Sequence, residues 1–138
     1  MKYRSVLFVP GHEEKKIKKA YTLNADLIVL DLESTVPNNL KENAKKIIIN
    51  CNVNKKKTYI RVNSSHDLTF VTKEKFLGIF LPFAESKDQL VKINDELKKA
   101  IHRMSEKGLT LPLECTLKDE IPIKLEAHED FEQADLEE

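Results

Sequence analysis

Apolar residues along this chain fall into short runs separated by stretches with helical spacing. Ser5-Val6-Leu7-Phe8-Val9 reads as a first strand, closed by the turn pair Pro10-Gly11. From Glu13 onward, Ile17, Ala20, Tyr21 and Ala25 keep a helical interval, with acids in the first turn and lysines later, as the helix dipole favours. Residues 27–32 form a second strand that delivers Asp31 and Glu33 and then breaks at Pro37-Asn38-Asn39, read as a turn and cap. Leu40, Ala44, Ile47, Ile48 and Cys51 follow as the cleanest amphipathic helix of the first half. A polar loop over 52–57 leads to a third strand at 58–62. The pattern between Ser64 and Lys75 is weak, and Leu68, Phe70, Val71 and Phe76 fit a short helix or a partly buried loop. A fourth strand spans 77–81. Ser86-Lys87-Asp88-Gln89 then matches a capping box, and Leu90, Ile93, Leu97, Ile101 and Met104 make one long helical stripe stopped by Lys107-Gly108. A fifth strand is expected at 109–113, ending in Glu114.

Strands alternating with helices across connections of about twelve or more residues imply parallel strands and right-handed crossovers. The expected class is therefore α/β, with about five parallel strands and four helices in one domain over residues 1–116. Composition changes sharply after that. Residues 1–116 carry 21 Lys/Arg against 14 Asp/Glu, whereas residues 117–138 carry 2 against 9, so the last stretch reads as an acidic tail.

The positive excess sits on helix surfaces, as at Lys15, Lys16, Lys18 and Lys19, without the interleaved aromatics or Arg cluster that base recognition needs. This argues against nucleic-acid binding. Cys51 and Cys115 are too few for a disulfide framework and lack zinc spacing, so both read as small buried residues of a reduced compartment. The apolar run at 6–9 is too short for a signal peptide or a membrane span, which points to a cytoplasmic protein. The Asn63-Ser64-Ser65 sequon then has no glycosylation role.

Parallel α/β folds gather chemistry at the carboxyl ends of their strands. Those ends carry Pro10-Gly11, Asp31 and Glu33, Arg61 and Asn63, Pro82, and Glu114. An arginine facing acids across one mouth has two readings. The guanidinium grips a substrate carboxylate while the acids hold a hard cation, or Arg61 pairs with Asp31 or Glu33 as a structural ion pair. The histidines decide neither: His12-Glu13-Glu14 lacks a metalloprotease partner, and His12 reads as solvent-facing at the entry to the first helix, with reach into the mouth as the alternative, while His66, His102 and His128 read as surface residues. No Gly-x-Ser-x-Gly motif or phosphate-binding glycine loop is present.

The same residues carry a family resemblance. Arg4 to Gly11, the stretch from Ala25-Asp26-Leu27 through Leu30-Asp31-Leu32-Glu33 to Pro37, and Lys41 and Ala44 beyond it resemble the opening of the citrate lyase beta subunit and its malyl-CoA and citramalyl-CoA lyase relatives. Arg61-Val62-Asn63, Leu81-Pro82 with Glu85-Ser86, and Leu113-Glu114 continue the likeness in order. The resemblance implies a (β/α)₈ barrel, Mg²⁺, and aldol-type cleavage of a 3-hydroxy-3-carboxyacyl thioester, carried on CoA or an acyl carrier protein, into a 2-oxo acid and an acyl thioester. By position it implies that Arg61 holds the 2-oxo acid carboxylate and that Glu114 is the first metal-binding glutamate. It also places Glu33 and Asp31 in the acidic signature of the catalytic mouth, and Pro10 and Gly11 in the first substrate-binding loop.

Departures from the family pattern are equally specific. Ser34 stands where the signature has a second aspartate, Phe83 replaces a lysine after Leu-Pro, Lys45 replaces an arginine, and Cys115 intervenes between Glu114 and Thr116. The likeness ends near Thr116, and five strands make a truncated barrel that cannot close. Its open edges call for a cover: a second copy in a homo-oligomer, a partner chain, or the tail folding back as a helix with Ile121, Ile123, Leu125, Phe131 and Leu136 inward. Two functions follow, a Mg²⁺-dependent carbon–carbon lyase subunit or a non-catalytic assembly module that keeps the first half of the barrel.

Overall fold

The computed structural model describes residues 3–106 and 123–127. Strand β1 (Val6–Pro10) leads to α1 (Glu14–Ala20), β2 (Leu27–Asp31) to α2 (Lys41–Asn50), β3 (Thr58–Arg61) to α3 (His66–Glu74), and β4 (Gly78–Ala84) to α4 (Lys87–Glu106); β5 is Ile123–Ala127. One-turn 3₁₀ helices at Asn38–Leu40 and Lys55–Lys57 precede α2 and β3. The strands form one sheet in the order β1-β2-β3-β4-β5, every neighbouring pair parallel.

A sequential parallel order, with right-handed crossovers, sends every helix to the same face of the sheet. The packing agrees. Ile17 and Ala20 of α1, Ala44 and Ile48 of α2, Leu68 and Val71 of α3 and Leu97 of α4 share one buried cluster with Val9, Ile28, Leu30, Ile60 and Ile79. Alternation along the strands sends the intervening residues to the other face. There Leu27, Val29 and Tyr59 form a second cluster with Phe80, whose ring meets Tyr59 and Phe8 edge-on at centroid distances of 5.6 and 5.3 Å. All five residues of β2 are buried, because helices cover one of its faces and this aromatic layer the other.

Several boundaries differ from the sequence expectation for local reasons. Helix α1 stops at Ala20 and does not run on to Ala25: the Thr22 hydroxyl and backbone N–H both donate to Lys19 O, at 2.7 and 3.0 Å, and Leu23 N–H donates to Ala20 O. Helix α2 starts without a side-chain cap. The weakly patterned stretch after Ser64 is a helix, α3. Its Asp67 carboxylate turns back to accept from Asn63 N and Ser64 N at 2.7 and 3.2 Å, satisfying N–H groups that precede the helix. The expected capping box at α4 forms with a shift: Gln89 N donates to Ser86 Oγ, but Gln89 Oε1 accepts from Glu85 N.

The stretch at 109–113 lies outside the described residues, and the strand that extends the sheet is Ile123–Ala127, inside the segment read as an acidic tail. The helix expected there with Ile123 and Leu125 inward is not formed. Ile123-Lys124-Leu125-Glu126-Ala127 alternates apolar and polar positions at period two, and Pro122 before it opposes helix. The β4–β5 register shifts between Leu81 and Ala84, a bulge where Phe83 takes φ 53°.

Candidate functional site

Strand register assembles the site. Pro10 pairs with Asp31, Asp31 with Arg61, and Arg61 with Phe80, so the C-terminal residues of β1, β2 and β3 and Phe80 within β4 present one row on the aromatic face. Within that row the Arg61 guanidinium forks onto Asp31, Nε to Oδ1 and Nη2 to Oδ2, both at 2.8 Å. Nη2 also donates to Ser34 Oγ at 2.6 Å, and the guanidinium carbon stands 5.2 Å from the Phe8 ring centroid.

Asp31 is 1% exposed and accepts three further hydrogen bonds, from Glu33 N at 2.8 Å, from Thr35 N at 2.9 Å and from the Thr35 hydroxyl. Burial alone would raise its pKa. The hydrogen bonds from Arg61, Thr35 and the two backbone N–H groups outweigh that and hold it at about 2. Asp31 is thus a fixed anion that orients Arg61 and curls the loop behind β2. Lys41, in the first turn of α2, secures the same loop by donating to Leu32 O and Glu33 O at 2.9 and 2.6 Å.

Glu33 is differently placed. Its carboxylate is partly exposed at the rim, and its contact among the described residues is Arg61 Nε at 3.9 Å. Gly11 has a steric reason to be glycine. Its N–H donates to Asp31 O at 2.9 Å, and a Cβ there would lie 2.6 Å from that same backbone oxygen. His12, expected to face solvent, keeps Nδ1 buried without a hydrogen-bond partner among the described residues.

The structure therefore brings Pro10, Gly11, Asp31, Glu33 and Arg61 to one rim; Glu114 lies outside the described residues. Of the two readings of Arg61, the ion pair with Asp31 is present, and it leaves Glu33 as the rim carboxylate with no bidentate partner. Among the described residues no cluster of three or more His, Cys, Asp or Glu could hold a metal. One oxygen donor, Glu33, has the hard chemistry Mg²⁺ prefers, but it does not make a site alone. No helix of the described residues is long and apolar enough to cross a membrane.

Sequence reasoning missed three groups. Phe8 lies two residues before Pro10 and shares its face by strand alternation, which would have placed it under Arg61. Thr35 carries the Asx-type turn that saturates Asp31. Asp67 is buried and pairs with Lys45 Nζ at 2.8 Å, and its spacing from Ser64 is that of a capping box. Lys45 also meets Glu42 at 2.9 Å within α2, and through Asp67 it ties α2 to the first turn of α3.

A singly wound parallel sheet with a carboxylate-held arginine at its strand tips defines the class as a singly wound α/β fold that gathers its polar residues at the carboxyl ends of the strands. Residues 4–117 match the HpcH/HpaI aldolase/citrate lyase family, and the chain belongs to it. Human mitochondrial citramalyl-CoA lyase is 35% identical over 99 residues, covering 63% of this chain and 29% of that protein. The (3S)-malyl-CoA thioesterase of Cereibacter sphaeroides is 41% identical over 46 residues, 33% of this chain and 16% of that one. Among solved structures, Mycobacterium tuberculosis CitE in complex with magnesium and pyruvate superposes with TM-score 0.57 at 27% identity, covering 63% of this chain and 38% of that chain. The citrate lyase beta subunit complexed with oxaloacetate and magnesium from the same organism gives 0.57 at 26%, covering 64% and 42%. The chain spans less than a third of the citramalyl-CoA lyase relatives it matches.

Proposed function

We propose that this chain works as the strand-tip half of a carbon–carbon lyase, cleaving a 3-hydroxy-3-carboxyacyl thioester, on CoA or an acyl carrier protein, to a 2-oxo acid and an acyl thioester. The observation that carries this reading is the Asp31–Arg61 fork: it holds a guanidinium at the rim beside a second carboxylate, Glu33, which meets Arg61 Nε only at 3.9 Å and takes no hydrogen bond from the fork. Arg61 supplies the charge that fixes the substrate carboxylate, and Asp31, ionised throughout the physiological range, keeps its plane oriented. Glu33 takes the hydroxyl proton as the bond between the hydroxyl carbon and the thioester α-carbon breaks. The electron pair passes to the thioester as an enolate, which is reprotonated, so the products balance without a redox partner. Mg²⁺, when bound through Glu114, would polarise the oxygen at the cleaved carbon. Assembly as a homo-oligomer or with a partner chain completes the mouth, in a reduced, cytoplasmic setting.

The test is incubation of the purified chain with Mg²⁺ and citramalyl-CoA or malyl-CoA, reading 2-oxo acid by coupled reduction with NADH. Release that falls at least tenfold in both Arg61→Gln and Glu33→Gln supports the reading; no release overturns it in favour of a non-catalytic assembly module. One observation favours that second reading. Ser34, at the position of the signature's second acid, accepts from Arg61 and offers no carboxylate. Calorimetric titration with Mg²⁺ decides between them: tight binding lost in Glu114→Gln contradicts the module, and undetectable binding supports it.

A further inference from the structure

We infer that the open edge of β1 is a docking groove for the acidic C-terminal segment of the same chain, residues 128–138. Strand β1 pairs with β2 on one side and has no strand partner on the other among the described residues. Along that edge Val6, Phe8 and Leu23 are 43%, 41% and 44% exposed, large apolar side chains left facing water. Phe8 and Leu23 border a groove of about 300 Å³ lined also by Leu7, Val9, Lys15 and Lys19. The floor is apolar and the rim is cationic.

The rim charges carry the assignment. Lys16 and Lys18 are already paired with Glu13 and Glu14 at 2.8 and 2.5 Å. Lys15 and Lys19 have no ion pair among the described residues. A second copy docked about a two-fold axis on this edge would set the same lysines against each other, so self-association here works against Coulomb repulsion. The groove fits an occupant that joins apolar side chains to carboxylates. Residues 128–138 have that composition: Phe131, Ala134 and Leu136 among six Asp and Glu, with no Lys or Arg.

Reach is not limiting. Because the sheet is parallel, β5 ends at the same rim as β1, four strand positions away. At about 4.8 Å per position that is roughly 19 Å, whereas eleven extended residues reach roughly 36 Å. The inference does not depend on turnover and stands or falls separately from the proposed lyase activity.

The experiment is zero-length carbodiimide cross-linking of the full chain, as an equal mixture of ¹⁴N- and ¹⁵N-labelled protein, read by mass spectrometry. The expected result is amide links from Lys15 or Lys19 to acids within 129–138, inside single isotopic species. Mixed-isotope links identify a second copy as occupant and overturn the inference. So do an absence of links and an even spread over other exposed lysines such as Lys73, Lys92 and Lys98. A second readout uses the absence of native tryptophan. Phe131→Trp should emit to the blue of the same chain in denaturant, and Lys15→Glu with Lys19→Glu should return the emission to the solvent-exposed position. Emission at the exposed position before the lysines are changed overturns the inference.

Discussion

Replacing Asp31 with asparagine removes one charge and turns an amide N–H₂ toward groups that are themselves donors. The carboxylate receives both arms of the Arg61 fork, two backbone N–H groups and the Thr35 hydroxyl, and asparagine offers one oxygen for them. At 1% exposure, solvent cannot make up the loss. Breaking a buried pair from one side costs about 3–5 kcal/mol, a large part of the roughly 5–15 kcal/mol that holds a domain together. With a urea dependence of about 1–3 kcal/mol per molar, the midpoint of Asp31→Asn should fall by roughly 2 M. The pH dependence gives a second check. The folded pKa lies near 2 against an ordinary 3.8, so ionisation of Asp31 contributes stability that is fully present above pH 3.8 and is lost as pH falls through 2. That contribution amounts to about 2 kcal/mol by linkage. The gap between the native chain and Asp31→Asn should therefore narrow across this acid window in urea melts followed by circular dichroism. A gap below about 0.5 kcal/mol at pH 7, the range of ordinary surface changes, would refute the clamp.

Two further outcomes follow from backbone geometry. Gly11→Ala sets a Cβ 2.6 Å from Asp31 O, against backbone that cannot swing aside, and should destabilise by about 1–3 kcal/mol in the same melts while shifting the amide resonances of Asp31 and Leu32. Lys75 ends α3 at φ 61°, exposed and without a side-chain partner among the described residues, so Lys75→Gly should stabilise by about 1 kcal/mol, seen as a raised midpoint.

The four β–α repeats were readable because each strand is a compact apolar run and three of the helices have a regular apolar stripe. Helix α3 was faint because its capping residue, Asp67, lies buried within the helix and is bound by Lys45 across from α2, a tertiary contact that no local pattern announces. The end of α1 depends on a threonine bonding back to Lys19 O, and threonine within a helical window carries no stop signal of its own. Strand β5 is hidden in sequence because its five-residue alternation is short and sits among nine acids, a composition that by itself favours a solvated segment. At the rim, Asp31 and Arg61 were visible as strand-end residues, but that the acid saturates itself with five donors depends on how the following loop turns, through Thr35 and Lys41.

The pairing of Asp31 with Arg61 as register neighbours has a consequence for how the chain assembles. If β2 slid one residue along β3, the carboxylate would swing to the helix-covered side and leave a cation stranded on the aromatic layer. The two charges thus act as an alignment key, rejecting the misthreaded sheet. A variant at either position that loses turnover has therefore lost chemistry only if its strands are first shown, by backbone resonance or proteolysis, to be threaded as before.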